Sequence, residues 1–396
     1  MNLHDLQKAI GGLFFLPVWW SQRWYKRDPY LWTFGAWDGL RYSDNSRAMY
    51  EYVLANCPHI KAFWMTNSKE VYHRLQKEQK PVVLINTPEG KKRQRESGFF
   101  FATKGQKDGA YRYMNGIRYI NLWHGMPLKQ IGRDELLFER KETWFKRLKT
   151  AIRRVLVPWE FLEGPTISNA PFFTPFLQSA FLLPKDSVWE VGSPRNDYLV
   201  SPHQEKLIQQ LDAQFHHPVK VLYMPTHRDS QHGVFNPFTK AGFDAETFQH
   251  VLEKGNILFL YKGHFYDSSV KDTLSSPRIR TIVDDDYDNL YTFLKDIDIL
   301  VTDYSSVYFD FLHVRKPIIL FPFDEADYVA HSRPFYFDYS LMEAKRVYTW
   351  TELADCLQQK TYFPPTTCEL DTFCTIPAGE ACKQLLDRVV QNENII

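Results

Sequence analysis

Five short apolar runs in the second half of the chain constrain its fold most: VKVLYMP (219–225), ILFLYKG (257–263), RIRTIVD (278–284), DILVTD (298–303) and PIILFPF (317–323). Each is a nearly continuous aliphatic stretch closed by Gly, Pro or Asp, the pattern of a strand buried on both faces. Segments of helical length lie between them, at 244–254, 286–296 and 305–314. That alternation predicts βαβ units around a parallel sheet, an α/β fold. The first half carries a looser version. KAFWM (61–65), PVVLIN (81–86), RYINLWHG (118–125), RVLVPWE (154–160) and SVWEVG (187–192) predict strands, and PFFTPFLQSAF (171–181) predicts a helix. The polar, Gln/His-rich stretch 198–218 reads as a surface helix or linker. It sets a boundary between an N-terminal unit, 1–200, and a C-terminal unit, 201–396.

A chain of 396 residues suits two domains, and 44% hydrophobic with 24% charged residues is a globular composition. The net charge of +1 leaves attraction to anions to local patches, and nucleic acid is not an expected partner. Five scattered cysteines without a C-x-x-C pair predict reduced thiols in a cytoplasmic setting and no structural zinc. No apolar stretch reaches the ~18 residues that a spanning helix needs. GGLFFLPVWW (11–20) lacks a basic leader and a small-residue cleavage site. It is expected to pack on the core, with insertion into a bilayer interface as the alternative, because Trp19, Trp20 and Trp24 stand beside Arg23, Lys26 and Arg27.

Two α/β halves facing across a cleft hold ligands on the loops at the carboxyl ends of their strands. The unusual residues fall there. Thr226 and Arg228 follow one strand, Lys262 and His264 a second, and Thr302, Asp303, Ser305 and Ser306 a third. Adjacent hydroxyls at a helix start can hold an anion with the backbone N–H groups and the helix dipole. A lone Ser pair would be a plain cap, but with Arg228, Lys262 and His264 on neighbouring strand ends the set suits a diphosphate. The acidic run VDDDYDNL (283–290) reads as helix caps and dipole partners, and no metal site is expected. His124, after a strand and before a turn, stays open between core histidine, phosphate contact and base.

Taken together, WHG-PLK (123–129), GSPRND (192–197), PTHRD (225–229), KGH (262–264), TDYSSVYFDF (302–311) and KPIILFPFD (316–324) resemble the CDP-glycerol glycerophosphotransferases, which build teichoic acids and related polymers. The motifs run in family order from about residue 120 to 330, over half the chain. The resemblance implies a GT-B-like fold of two Rossmann-like domains. It implies transfer of glycerol phosphate from CDP-glycerol to an acceptor hydroxyl with release of CMP, and no required cofactor. It places His124 as general base, with His264 as a second catalytic histidine. Arg228, Thr226, Lys262, Thr302, Asp303, Ser305 and Ser306 would hold the donor, and Gly125, Lys129, Arg195 and Asp197 would serve the acceptor. Two departures bear on this: Met126 stands where the family usually has Thr, and Lys262 where Arg is common. A Lys keeps the charge but gives up the bidentate fork.

RKETWFKRLKTAIRRVL (140–156) carries seven Lys/Arg against one Glu over 140–154, with apolar residues at helical spacing. It reads as an interfacial membrane binder or a dock for a polyanionic chain, or else as a surface helix packed on the first unit. The KKRQR run (91–95) reads as a solvated loop. The expected protein is a cytoplasmic, peripheral membrane transferase acting on a glycan or polyol-phosphate acceptor that the resemblance implies is lipid-linked. The rivals are a CDP-ribitol or sugar transferase, and a non-catalytic module that binds a nucleotide or a polyanion.

Overall fold

The structure is a computed structural model that describes residues 13–139, 144–226, 228, 236–263 and 276–393. Strands of the first half are β1 (Asp28–Gly35), β2 (Lys61–Thr66), β3 (Val82–Leu84), β4 (Ser97–Ala102), β5 (Arg118–Asn121), β6 (Thr166–Ser168) and β7 (Val188–Glu190). Those of the second are β8 (Val219–Met224), β9 (Ile257–Tyr261), β10 (Ile279–Thr281), β11 (Ile299–Thr302), β12 (Ile318–Leu320) and β13 (Lys345–Arg346). Among the described residues they form two sheets, ordered β3-β2-β1-β4-β5-β6-β7 and β10-β9-β8-β11-β12-β13. Neighbouring strands run parallel; Val221, for example, lies opposite both Ile299 and Phe259. The α/β expectation holds.

All five strands expected in the second half are present, and so are helices Ala245–Lys254, Leu290–Leu294 and Val307–Leu312. The first half differs more. Its central strands, β1 and β4, are DPYLWTFG and SGFFFA, aromatic rather than β-branched. Phe34 stacks on Phe101 across them, and Trp32 meets Phe99 and Phe101 with tilted rings, all nearly fully buried. Burying each such ring contributes roughly 1.5–3 kcal/mol. RVLVPWE is not a strand. It closes the helix Trp144–Leu156, then turns through Pro158–Glu160, because a short apolar run fits either structure and Pro158 ends the helix. KKRQR is helical too, within Pro88–Glu96. Thr87 accepts the Gly90 N–H at 3.1 Å, and Pro88 opens the first turn.

One core lies on each sheet, and a third joins the halves, gathering Met126, Phe173 and Leu177 with Leu300, Phe309 and Leu320. The C-terminal helix Ala381–Glu393 returns to the first sheet, where Cys382, Leu385 and Val389 pack with Trp32 and Val53. The expected unit 201–396 therefore does not gather wholly about the second sheet. The five cysteines are unpaired.

Candidate functional site

Sheet order brings the loops after β1, β4 and β5 side by side, and His124 sits among them. The chain leaves β5 in a tight turn in which the Asn121 side chain accepts the Trp123 N–H at 3.1 Å. The Asn45 side chain donates to the Leu122 and Trp123 carbonyls at 3.0 and 2.9 Å. The His124 ring lies between Trp37 and Trp123, with centroids at 5.3 and 4.0 Å. Its Nδ1 is 3.3 Å from the Thr103 carbonyl oxygen. A carbonyl only accepts, so that contact places the proton on Nδ1 and leaves the Nε2 lone pair bare. Burial holds the His124 pKa below the ordinary histidine range; Asp44 and the Thr103 carbonyl oppose it, while Arg195 and Lys104 reinforce it.

The backbone around the ring is unusual. Trp37, Asp38, Asp44 and Trp123 have φ of 52°, 58°, 67° and 51°, left-handed values that bulky side chains avoid. Each costs on the order of 1–3 kcal/mol and persists only where the surroundings hold it. Here Asp108 is one such hold. Its carboxylate accepts the N–H groups of Asp38, Lys104 and Gly105 at 2.7, 2.7 and 3.2 Å. Burial pushes Asp108 up to about 6 despite those three donors.

The facing wall is built from charge. Arg228 grips Asp324 through two parallel bonds of 2.9 Å and meets Asp303 at 2.8 Å. Tyr304 and Tyr328 flank its guanidinium at 5.3 and 4.9 Å. Burial would lower the Arg228 pKa, but the two carboxylates outweigh it and raise it. Asp303 also accepts the Thr226 and Tyr304 N–H groups at 2.8 and 2.6 Å. Lys262 donates to Asp284 at 2.6 Å, and Arg41, from the first half, reaches the other oxygen at 2.9 Å. Burial would raise the Asp284 carboxyl, yet Lys262, Tyr287 and Arg41 hold it at about 2.

The two walls touch at Gly125. A Cβ built there would stand 2.5 Å from Ser306 Oγ, so only glycine lets the His124 loop rest on the start of Val307–Leu312. Lys129 makes a second junction, bridging to the Phe335 backbone and donating to the Tyr328 hydroxyl at 3.1 Å. The chain matches, over residues 20–391, the family described as CDP-Glycerol:Poly(glycerophosphate) glycerophosphotransferase. The chain belongs to this family.

It is 26% identical over 377 residues to the teichoic acid glycerol-phosphate transferase of Staphylococcus aureus, covering 90% of this chain and 92% of that protein. It is 27% identical over 398 residues to the teichoic acid poly(glycerol phosphate) polymerase of Bacillus subtilis, covering 91% of this chain but 48% of that longer protein. The solved wall teichoic acid polymerase TagF has the same fold: TM-score 0.72 at 20% identity, over 99% of this chain and 98% of that chain.

Of the residues expected in the site, the structure sets Gly125, next to His124, against Ser306, and gathers Thr226, Arg228 and Asp303 on the strand ends of the second sheet. His264 lies outside the described residues. Three expected contacts have other tasks. The Thr302 hydroxyl donates to the Met224 carbonyl at 2.7 Å, tying β11 to β8. Asp197, expected to meet the acceptor, instead accepts the N–H groups of Gly379, Ala381 and Cys382 at 2.8, 3.1 and 2.8 Å, and so caps the C-terminal helix. Arg195, likewise expected on the acceptor, is 3% exposed and bonded to Asp44, Asp310 and the His124 carbonyl. Met126, noted above as a departure, is 2% exposed and packs in the shared core. Sequence reasoning missed Trp37, Asp38, Asp44 and Asp108. The WDG turn at 37–39, closing an aromatic strand, was the available signal. Among the described residues no three His, Cys, Asp or Glu side chains group as a metal site would need.

Proposed function

We propose that the chain transfers glycerol phosphate from CDP-glycerol to a hydroxyl of a membrane-associated glycan or poly(glycerol phosphate) acceptor, releasing CMP, in the assembly of a teichoic-acid-like or capsule polymer. The carrying observation is the contact of the His124–Gly125 loop with Ser306, which sets a neutral base beside a helix start. The two sheets then act as the Rossmann-like halves of a GT-B enzyme, acceptor on the first and nucleotide on the second. The acceptor hydroxyl gives its proton to His124 Nε2 as its oxygen bonds to the β-phosphorus, and the bond from that phosphorus to the CMP phosphate breaks. The hydroxyls of Ser305 and Ser306 stabilise the phosphoryl oxygens. The Thr226 hydroxyl, buried with no hydrogen-bond partner among the described residues, is available to a phosphate oxygen. Arg228, anchored by Asp303 and Asp324, adds positive charge behind it.

Docking at the inner membrane face is supported by one continuous surface. Phe15 and Trp19 of helix 13–21 pack against Trp159, which follows the basic helix. On the same helix and just after it Phe14, Trp20 and Trp24 are 82%, 49% and 82% exposed, and Ile152 and Val155 of the basic helix are 49% and 67% exposed. Arg23, Lys26, Arg153 and Arg154 lie among them, and among the described residues no helix is long and apolar enough to cross a membrane. Incubation with CDP-glycerol, CDP-ribitol or UDP-glucose and a glycerol-phosphate-primed lipid acceptor tests the reaction. CMP release and a product heavier by glycerol phosphate are expected with CDP-glycerol alone; faster turnover of another donor overturns the donor assignment. Sedimentation with phosphatidylglycerol vesicles tests the surface, and the double variant Phe14→Ser, Trp24→Ser should stay in the supernatant while the parent protein pellets.

A further inference from the structure

Arg195 lies in the turn after β7, 3% exposed yet charged. Its Nη1 donates to Asp44 Oδ1 and to the His124 carbonyl oxygen, both at 2.8 Å, and its Nη2 donates to Asp310 Oδ2 at 2.7 Å. The guanidinium carbon stands 5.0 Å from the centre of the Tyr291 ring. These partners come from separate parts of the chain. Asp44 opens the helix Asp44–Asn56 of the first half, while Tyr291 and Asp310 belong to helices of the second. Asp310 is four residues beyond Ser306, hence on the same helical face.

A buried ion pair is a weak source of stability, and apolar side chains of similar volume often serve a core as well. What the planar fork alone supplies is simultaneous, directional reach to a carbonyl and two carboxylates. The bonded carbonyl is that of His124. One bonded carboxylate lies a turn beyond Ser306, which Gly125 abuts. The arrangement is therefore one of placement.

We propose that Arg195 is a positioning residue for the transfer step, fixing the His124 loop against the start of Val307–Leu312 and so setting the distance from base to phosphorus. This rests on the reading of His124 as the base. Asp44, held by the same guanidinium, interacts with the His124 imidazole. Its charge is in place before the ring takes the proton, so the imidazolium formed during transfer is stabilised without reorganisation.

The test is acceptor-dependent CMP release by the full chain carrying Arg195→Lys, Asp44→Asn, His124→Ala, or Arg195→Lys with His124→Ala, alongside CDP-glycerol binding by calorimetry and a melting curve for each. Arg195→Lys should lower kcat about 100-fold, the scale of an ångström's misplacement. The donor KM and Kd should stay within about threefold. Asp44→Asn, which keeps volume and an acceptor oxygen, should lower kcat in the same direction by about tenfold, and it carries the test if Arg195→Lys does not fold. Because Arg195 acts through His124, the double variant should be within about twofold of His124→Ala. Full multiplication of the two effects, or an Arg195→Lys loss that follows the unfolded fraction, overturns the proposal. If instead His124→Ala keeps the parent rate, it is the base reading that fails.

Discussion

The two walls of the site meet at Gly125 and Ser306 but are held by opposite means. The His124 wall is aromatic around the ring, with Asp44, Arg195 and Lys104 as the charges that act on it. Its imidazole lies between Trp37 and Trp123, and its loops are kept in left-handed turns by hydrogen bonds from buried Asn45 and to Asp108. The Arg228 wall is a lattice of ion pairs in which Asp303, Asp324 and Asp284 are each committed to a cation. Low polarity keeps a base neutral, whereas preset charge suits a migrating phosphoryl group and its nucleotide. In the proposed site a neutral imidazole and a dense charge network are kept apart because different sheets supply them.

The contrast can be broken hardest on the charged wall. Arg228→Ala leaves Asp303, fully buried, without its cation. It should cost about 3–5 kcal/mol in denaturant unfolding, while Arg228→Lys should recover part of that. Gly125→Ala attacks the junction. Its Cβ would fall 2.5 Å from Ser306 Oγ on a backbone at φ 155°, so the loop must move. Turnover should drop about tenfold or more with a stability loss of about 1–3 kcal/mol. Met126→Thr restores the family's usual residue but buries a hydroxyl in the shared core. A loss of about 1–3 kcal/mol in melting, with the acceptor KM unchanged, separates packing from recognition.

The smallest effect concerns pH. The proposed base His124 would act in its neutral form, and burial lowers its pKa, so the acid limb of kcat/KM should fall below about 6.5. Stability alone would read this poorly. Between that lowered value and about 6.5 the unfolded chain binds more protons at His124, and stability rises with pH. Asp108, raised to about 6, acts in the opposite sense, since the folded chain binds the extra proton above about 3.9. A rate profile separates the two groups.

How much of this was legible varied with the chemistry of the strands. The second sheet was readable because β8 to β12 are aliphatic runs with turn residues at both ends. In the first sheet β1 and β4 were hidden, since Trp32, Phe34 and a triple Phe do not mark a strand as Val and Ile do, and Pro29 falls in β1. The residues proposed to act in the site stood in motifs, so His124, Arg228 and the serines were visible. Trp37, Asp44 and Asp108 were not, because they reach His124 only through the order β1-β4-β5, which places distant loops side by side. Arg195 and Asp197 were visible as charged motif residues, but their partners within the chain were not, since those come from distant segments.

The central claim is that His124 is the neutral base of the transfer. Single-turnover CMP release from CDP-glycerol, with and without acceptor, tests it most directly in the parent protein and His124→Ala. The account predicts an acceptor-dependent rate that falls about 10²–10⁴-fold in the variant, with CDP-glycerol affinity unchanged. A variant that transfers at the parent rate, or one that loses donor binding in proportion to its rate, would contradict it.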